Sequence, residues 1–161
     1  MTRLRQRLGA VSGGPGFSLV ELIIVLVILG VVAAIAAPRY ASALCRYRAD
    51  CAARRIVADL GLAQARARQT SQGQTLVFDL AANQLRIAGL PDLDRHSSDY
   101  TVRLGGAPYQ AKIVSADFGG DSTIVFNGYG IPDSGGSVVV EVGDVQRTVV
   151  VSPATGKAQV Q

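Results

Sequence analysis

Glu21 stands just inside an apolar run that extends to Ala37, directly after the stretch Gly16-Phe17-Ser18-Leu19-Val20. An acidic side chain at the centre of a membrane helix costs roughly 2.5–3.5 kcal/mol, so a carboxylate kept at this position calls for a function. Upstream, Ser12-Gly13-Gly14-Pro15-Gly16 disfavours helix and leaves the backbone open to a protease. The chemistry at this end of the chain is that of a proteolytic substrate and of a charge held in an apolar medium.

The remaining reactive side chains form no catalytic set. His96 is the one histidine and sits in a polar loop beside Arg95 and two serines, with no triad signature. Asp92 and Asp94 flank Leu93, and Asp117 and Asp121 flank Phe118-Gly119-Gly120. Neither pair fits a full calcium-loop pattern, so both are expected to be loop acids. Gly128–Gly136 lacks the lysine and hydroxyl residue of a phosphate loop and reads as turns. Cys45 and Cys51 are too few for a disulfide framework and fit no zinc or redox spacing. On one unbroken helix their Cα atoms would be about 10 Å apart, beyond the ~7 Å that a bridge allows. Either the helix breaks between them or they are not paired with each other. No enzyme activity, cofactor or metal is expected.

These residues must be positioned by a chain of 161 residues, enough for one modest domain and a membrane segment. Phe17–Ala37 is 21 residues, or about 31 Å of helix, which matches a ~30 Å hydrocarbon core. Pro38 follows and is expected to kink or interrupt the helix. Residues 41–69 are rich in alanine, arginine and leucine, with good helix propensity. Cys45, Ala49, Ala52, Ile56, Leu60, Ala63 and Ala67 recur every three or four residues and predict one narrow face of small side chains. Ser71-Gln72-Gly73 should end this helix. From Gln74 the period becomes two. Thr75–Leu80, Gln84–Ile87, Tyr100–Leu104, Ala111–Val114, Thr123–Asn127, Ser137–Val142 and Arg147–Ser152 are strand candidates. Ala81-Ala82-Asn83 makes a hairpin turn of the first two, and Pro91–Ser98 reads as a loop. The expected fold class is α+β: a long N-terminal helix, half membrane-spanning and half amphipathic, packed on a mostly antiparallel sheet.

The net charge of +4 is unevenly spread. Arg3, Arg5 and Arg7 precede the apolar run; residues 39–68 carry seven arginines against Asp50 and Asp59, a balance of +5; residues 69–161 carry six basic and nine acidic groups, a balance of −3. A basic rod with an acidic head suggests charge-matched assembly rather than nucleic-acid binding.

Two outcomes are open at the N-terminus. An ordinary signal peptide could use Leu22–Val32 as its apolar region and Ala34-Ile35-Ala36 as its cleavage site. Against this, the arginines lie far from the apolar run across a Gly/Pro patch, and Glu21 would have no purpose. Alternatively, cleavage falls before Phe17 and the apolar helix is retained.

At Gly16-Phe17-Ser18-Leu19-Val20-Glu21-Leu22-Ile23-Ile24-Val25, followed by Pro38, the chain resembles the type IV prepilin family. The resemblance implies that a prepilin peptidase cuts after Gly16 and methylates the new amine of Phe17. It also implies assembly with other pilins or pseudopilins, through an inner-membrane platform, into a fibre cored by these helices. Glu21 then has a partner. Opposite charges at ~4 Å attract by about 4 kcal/mol at an effective dielectric of 20, and the resemblance places the Phe17 amine of a neighbouring subunit against Glu21 to set the register. Pro38 matches a helix-breaking proline of the family. The segments implied are a leader (1–16), a membrane and fibre-core helix (17–38), an amphipathic helix (39–72) and a periplasmic sheet head (73–161). A count of flanking arginines favours the opposite orientation, because Arg39, Arg46, Arg48, Arg54 and Arg55 lie just beyond the apolar run; the family's cytoplasmic processing favours the N-terminus inside.

Arg54–Arg66, Gly73–Phe78, Ile124–Phe126 with Gly128-Tyr129-Gly130-Ile131-Pro132, and Val149–Lys157 resemble the H-type minor pseudopilins and FimT-like minor pilins, the GspH/FimT group. The H-type implies type II secretion of folded proteins; the FimT-like alternative implies a type IV pilus, in some cases DNA uptake. DNA is not an expected partner here, since the head is net acidic and the C-terminal segment offers only Lys157, whereas phosphate binding needs clustered basic groups.

Overall fold

The computed structural model describes residues 16–92 and 98–161. The leader residues 1–15, with Arg3, Arg5 and Arg7, and the loop residues 93–97, with Asp94 and His96, lie outside the described residues. The chain divides into two compact units, one ending at Tyr40 and one spanning Ala41–Gln161.

Helix α1 runs Leu19–Thr70. The carbonyl of Ser18 accepts the Leu22 N–H at 3.1 Å and opens it. Its close falls at Ser71, where the backbone turns left-handed (φ 52°), the usual way to satisfy the last carbonyls of a helix. Arg68 lies in the last turn, favourable to the helix dipole. Of the kink or interruption expected at Pro38, the interruption does not occur, since the proline lies inside the continuous helix. Proline removes one backbone donor and crowds the carbonyl four residues back. Ala33, Ala34, Ala36 and Ala37 beside it are strong helix formers with little bulk to add to that crowding. The helix is equally unbroken between Cys45 and Cys51, and both thiols are free.

In the first unit every side chain from Phe17 to Tyr40 is exposed, including an unbroken series of large aliphatics. An 18-residue window there has a mean hydropathy of 3.1, so α1 is long and apolar enough to cross a membrane.

The second unit is the head. Eight strands follow α1: β1 (Gln74–Asp79), β2 (Gln84–Pro91), β3 (Asp99–Arg103), β4 (Lys112–Asp117), β5 (Thr123–Phe126), β6 (Gly136–Val142), β7 (Val145–Val151) and β8 (Ala158–Val160). They form two four-stranded antiparallel sheets, β3-β2-β1-β5 and β4-β6-β7-β8, rather than the one sheet expected. Strand alternation cannot say which strands share a sheet, because each strand needs only one buried face. The split is set where β5 returns to pair with β1 and β6 pairs with β4. β2 also runs on to Pro91, into the expected loop, through a register shift after Ile87 that holds Gly89 at φ 72°. Strand β8 escaped sequence reading because Ala158-Gln159-Val160 is only three residues long, too short for its alternation to stand out; its pairing with β7 makes it a strand.

The head segment of α1 buries Ala49, Ala52, Ala53, Ile56, Leu60, Ala63 and Ala67 in a common core with Leu76, Phe78, Leu85, Ile87, Ile124, Phe126, Val138, Val140 and Val149. Burying a side chain such as Ile56 or Leu60 contributes roughly 1.5–3 kcal/mol. Alanines on the helix leave room for the larger strand side chains. The two sheets are joined by Phe78 stacked on Phe118, with ring centroids 5.5 Å apart, and by the Ile113 N–H donating to Asn83 Oδ1 at 2.8 Å.

Candidate functional site

Gly16 and Phe17 precede the first turn of α1. A Cβ built on Gly16 would meet no atom within 4 Å, so nothing in the fold demands glycine there. Phe17 is 85% exposed. Glu21 lies in the first turn, where a carboxylate also complements the helix dipole, and among the described residues it forms no ion pair within the chain. Pro38 lies seventeen residues further along the same helix. The structure therefore places a glycine and an exposed aromatic just before an exposed apolar helix, with an acid in its first turn that forms no ion pair among the described residues. It gathers no second set of side chains around them. What the geometry offers is an exposed apolar helix surface with a carboxylate in its first turn. Asp117 and Asp121 serve their own turn: each carboxylate accepts a nearby backbone N–H, from Gly120 and Thr123 respectively. Among the described residues no group of acids, histidines and cysteines is placed to hold a metal.

The head holds one polar cluster that the sequence reading missed. Asp59, only 3% exposed, sits within the apolar face of α1. It receives the Arg55 Nε–H at 3.0 Å and the Tyr100 hydroxyl at 2.9 Å, while Arg55 Nη2 donates to that hydroxyl at 2.5 Å. The signal was present: Ile56, Asp59, Leu60 and Ala63 share one face, and Arg55 stands four residues before Asp59. The cluster ties the helix to β3. Burial pushes the Asp59 carboxyl above the usual carboxylate range, against the opposing pull of Tyr100 and Arg55. For Arg55, burial is the largest single influence and lowers it, but the charge and hydrogen bond of Asp59 with Tyr100 and Tyr109 together raise it on balance. Burial and Asp59 together raise the Tyr100 phenol.

The raised carboxyl reverses the usual acidic pattern. The folded state binds the Asp59 proton more tightly than the unfolded chain does. Its contribution is therefore complete below the ordinary carboxylate pKa and is lost as pH rises through the higher folded value. Denaturation midpoints of the wild type and Asp59→Asn, compared from acid to neutral pH, should show the wild type losing ground to the variant as pH rises. A wild type that gains on the variant over that range would contradict the assignment.

Two side chains of α1 fasten the loops of the head. Gln64 Nε2 donates to the carbonyls of Gly130 and Thr155, both at 2.7 Å, and Arg68 Nε donates to the Tyr129 carbonyl at 3.1 Å. Gly130 is required here, because φ is 75° and a Cβ would lie 2.3 Å from Arg68 Nε.

Comparison with known proteins matches these features to two family models. Residues 15–37 match the prokaryotic N-terminal methylation motif. Residues 52–155, more than half of the chain, match the type II transport protein GspH. Among curated proteins no match is found. Among solved structures, the type IV minor pilin FimU of Pseudomonas aeruginosa resembles the chain with a TM-score of 0.55 at 15% identity, over 72% of this chain and 90% of that one. That likeness establishes a shared fold, one long helix on antiparallel sheets, as the prepilin resemblance implied. An exposed apolar helix headed by a methylation motif, followed by this head, makes the chain a type IV pilin-like structural subunit belonging to the GspH family.

Proposed function

We propose that the protein is a minor pseudopilin of a type II secretion pseudopilus. It is cleaved after Gly16 and N-methylated on Phe17 by a prepilin peptidase, waits in the inner membrane with its head in the periplasm, and enters a fibre with other pseudopilins through the assembly platform. There it helps move folded proteins across the outer membrane. The observation that carries this is the exposed apolar helix of the first unit, with Glu21 in its first turn and a head whose own core is already complete without it. A surface of this extent is stable only in lipid or against other apolar helices. The secretion reading is supported by the family's description as a type II transport protein, while the likeness to a type IV minor pilin is one of fold.

The expected mature N-terminus is N-methylated Phe17, read by mass spectrometry of protein recovered from membranes of its native host. A start near Ala37 or Pro38 would overturn the proposal, because the apolar helix would then be a discarded signal.

A further inference from the structure

Of the arginines that follow the apolar run, the fold of the head occupies only some. Residues 38–49 carry Arg39, Arg46 and Arg48 and no acid. Asp50, the first acid after them, is taken by Arg147, whose Nε donates to it at 2.6 Å. Arg48 donates to the neutral side chain of Gln110. Arg39 belongs to the first unit and Arg46 to the second; both are exposed, and neither forms an ion pair among the described residues. Asp144, beside the Gly143 that lies against Cys45, forms none with either of them. Two guanidinium groups close to the apolar run therefore have no carboxylate of their own chain.

Each is followed by an exposed tyrosine, Tyr40 at 73% and Tyr47 at 68%. The Arg-Tyr pair recurs after seven residues, a spacing that drifts only about 20° around an α-helix, and α1 is unbroken over both pairs. Tyr40 comes three residues after Ala37, within one helical turn of the apolar run, and Arg46 nine. Helix side chains lean toward the N-terminal end, which here is the apolar end. An arginine stem lies along apolar surface while its guanidinium seeks a polar partner. Tyrosine settles at the level of lipid headgroups, where its ring and its hydroxyl meet different media.

We infer that Arg39-Tyr40 and Arg46-Tyr47 bind lipid headgroups and select anionic phospholipid on the side of the membrane where the head lies. A guanidinium meets a phosphate through two parallel N–H···O bonds, and each such charge near an anionic lipid surface favours association by about five-fold. The tyrosines decide for lipid over an acidic protein surface, because they recur with the arginines and begin within a turn of the apolar run. The contact rests on the reading that the apolar helix is retained in the membrane. It would hold the subunit at a fixed depth until it enters a fibre, and it gives a role to arginines that otherwise only oppose a cytoplasmic N-terminus.

The test places the full chain in nanodiscs of phosphatidylcholine, with or without roughly one third phosphatidylglycerol, and labels it with phenylglyoxal; peptide mass spectrometry reads the rate at each arginine. Arg39 and Arg46 should react about five-fold more slowly when phosphatidylglycerol is present, while Arg68, exposed in the last turn of α1, reacts equally in both. Inorganic phosphate added to phosphatidylcholine discs should slow neither, which separates a headgroup surface from a site for a free anion. Equal rates in the two lipids, or slowing by phosphate alone, would overturn the contact. So would slowing confined to native membranes that hold the neighbouring subunits, which would assign the arginines to an acidic protein surface. With methylated Phe17 at the mature N-terminus, such a failure leaves the fibre proposal standing; with a start near Ala37, both fall.

Discussion

Glu21→Ala is expected to insert in the membrane normally and to fail to enter a fibre. Among the described residues Glu21 forms no ion pair, so its removal breaks none of the salt bridges of the head and even lowers the cost of insertion. What it removes is the anion that would meet the amine created at Phe17. A pair at ~4 Å is worth about 4 kcal/mol at an effective dielectric of 20, nearly three orders of magnitude in an equilibrium constant. Unpaired, the amine would stay buried in an apolar fibre, which is strongly disfavoured. The measurement compares the variant in the membrane fraction with the variant in the sheared fibre fraction. Membrane levels should match the wild type, and incorporation should fall by at least ~10-fold. Glu21→Gln, equal in size, should fall as far. Normal incorporation of either would show that charge pairing does not set the register.

A bulky residue at Gly16 should abolish cleavage. A Cβ at Gly16 would meet no atom within 4 Å among the described residues, so a side chain there is expected to leave the fold of the head untouched. On the proposed reading, the demand for glycine comes from a peptidase that approaches the backbone there too closely to admit a side chain. Unprocessed precursor should therefore accumulate, with processing reduced by ~100-fold or more, as expected when reacting groups are misplaced by an ångström or more. Gly16→Ala, with only a methyl group, should retain partial processing. Immunoblots that separate precursor from mature chain give the readout. Unchanged processing of Gly16→Trp would refute the assigned bond while leaving the fold untouched.

Much of the architecture was legible in sequence because it is written in periodicity. The seven positions from Cys45 to Ala67 that recur every three or four residues all face inward, Cys45 partly and the rest fully. The change of period at Gln74 marks the true start of β1. Seven strand candidates correspond to β1 through β7, with ends displaced by a few residues. What failed did so for identifiable reasons. Pro38 signals a local defect, but a helix also reflects the residues around it, and alanines there keep it continuous. β8 has too few residues to show alternation and exists through its partner. Asp59 was counted as one of two acids on a basic rod, a solvated charge by composition, whereas it is buried between Arg55 and Tyr100.

By itself, the sequence determined the match to an N-terminal methylation motif, the membrane-length helix with Glu21 in its first turn, and the α+β class. All of these depend on residue type and local spacing, and hydrophobic transfer and helix geometry act on neighbouring residues along one segment. Only the tertiary structure decided that there are two sheets, that Tyr100 completes the Asp59 pair from 41 residues away, and that Gln64 and Arg68 hold a loop more than 60 residues distant. Such arrangements are long-range: no local pattern records which segment will fill a given face, and they exist only once chain closure has brought distant residues together.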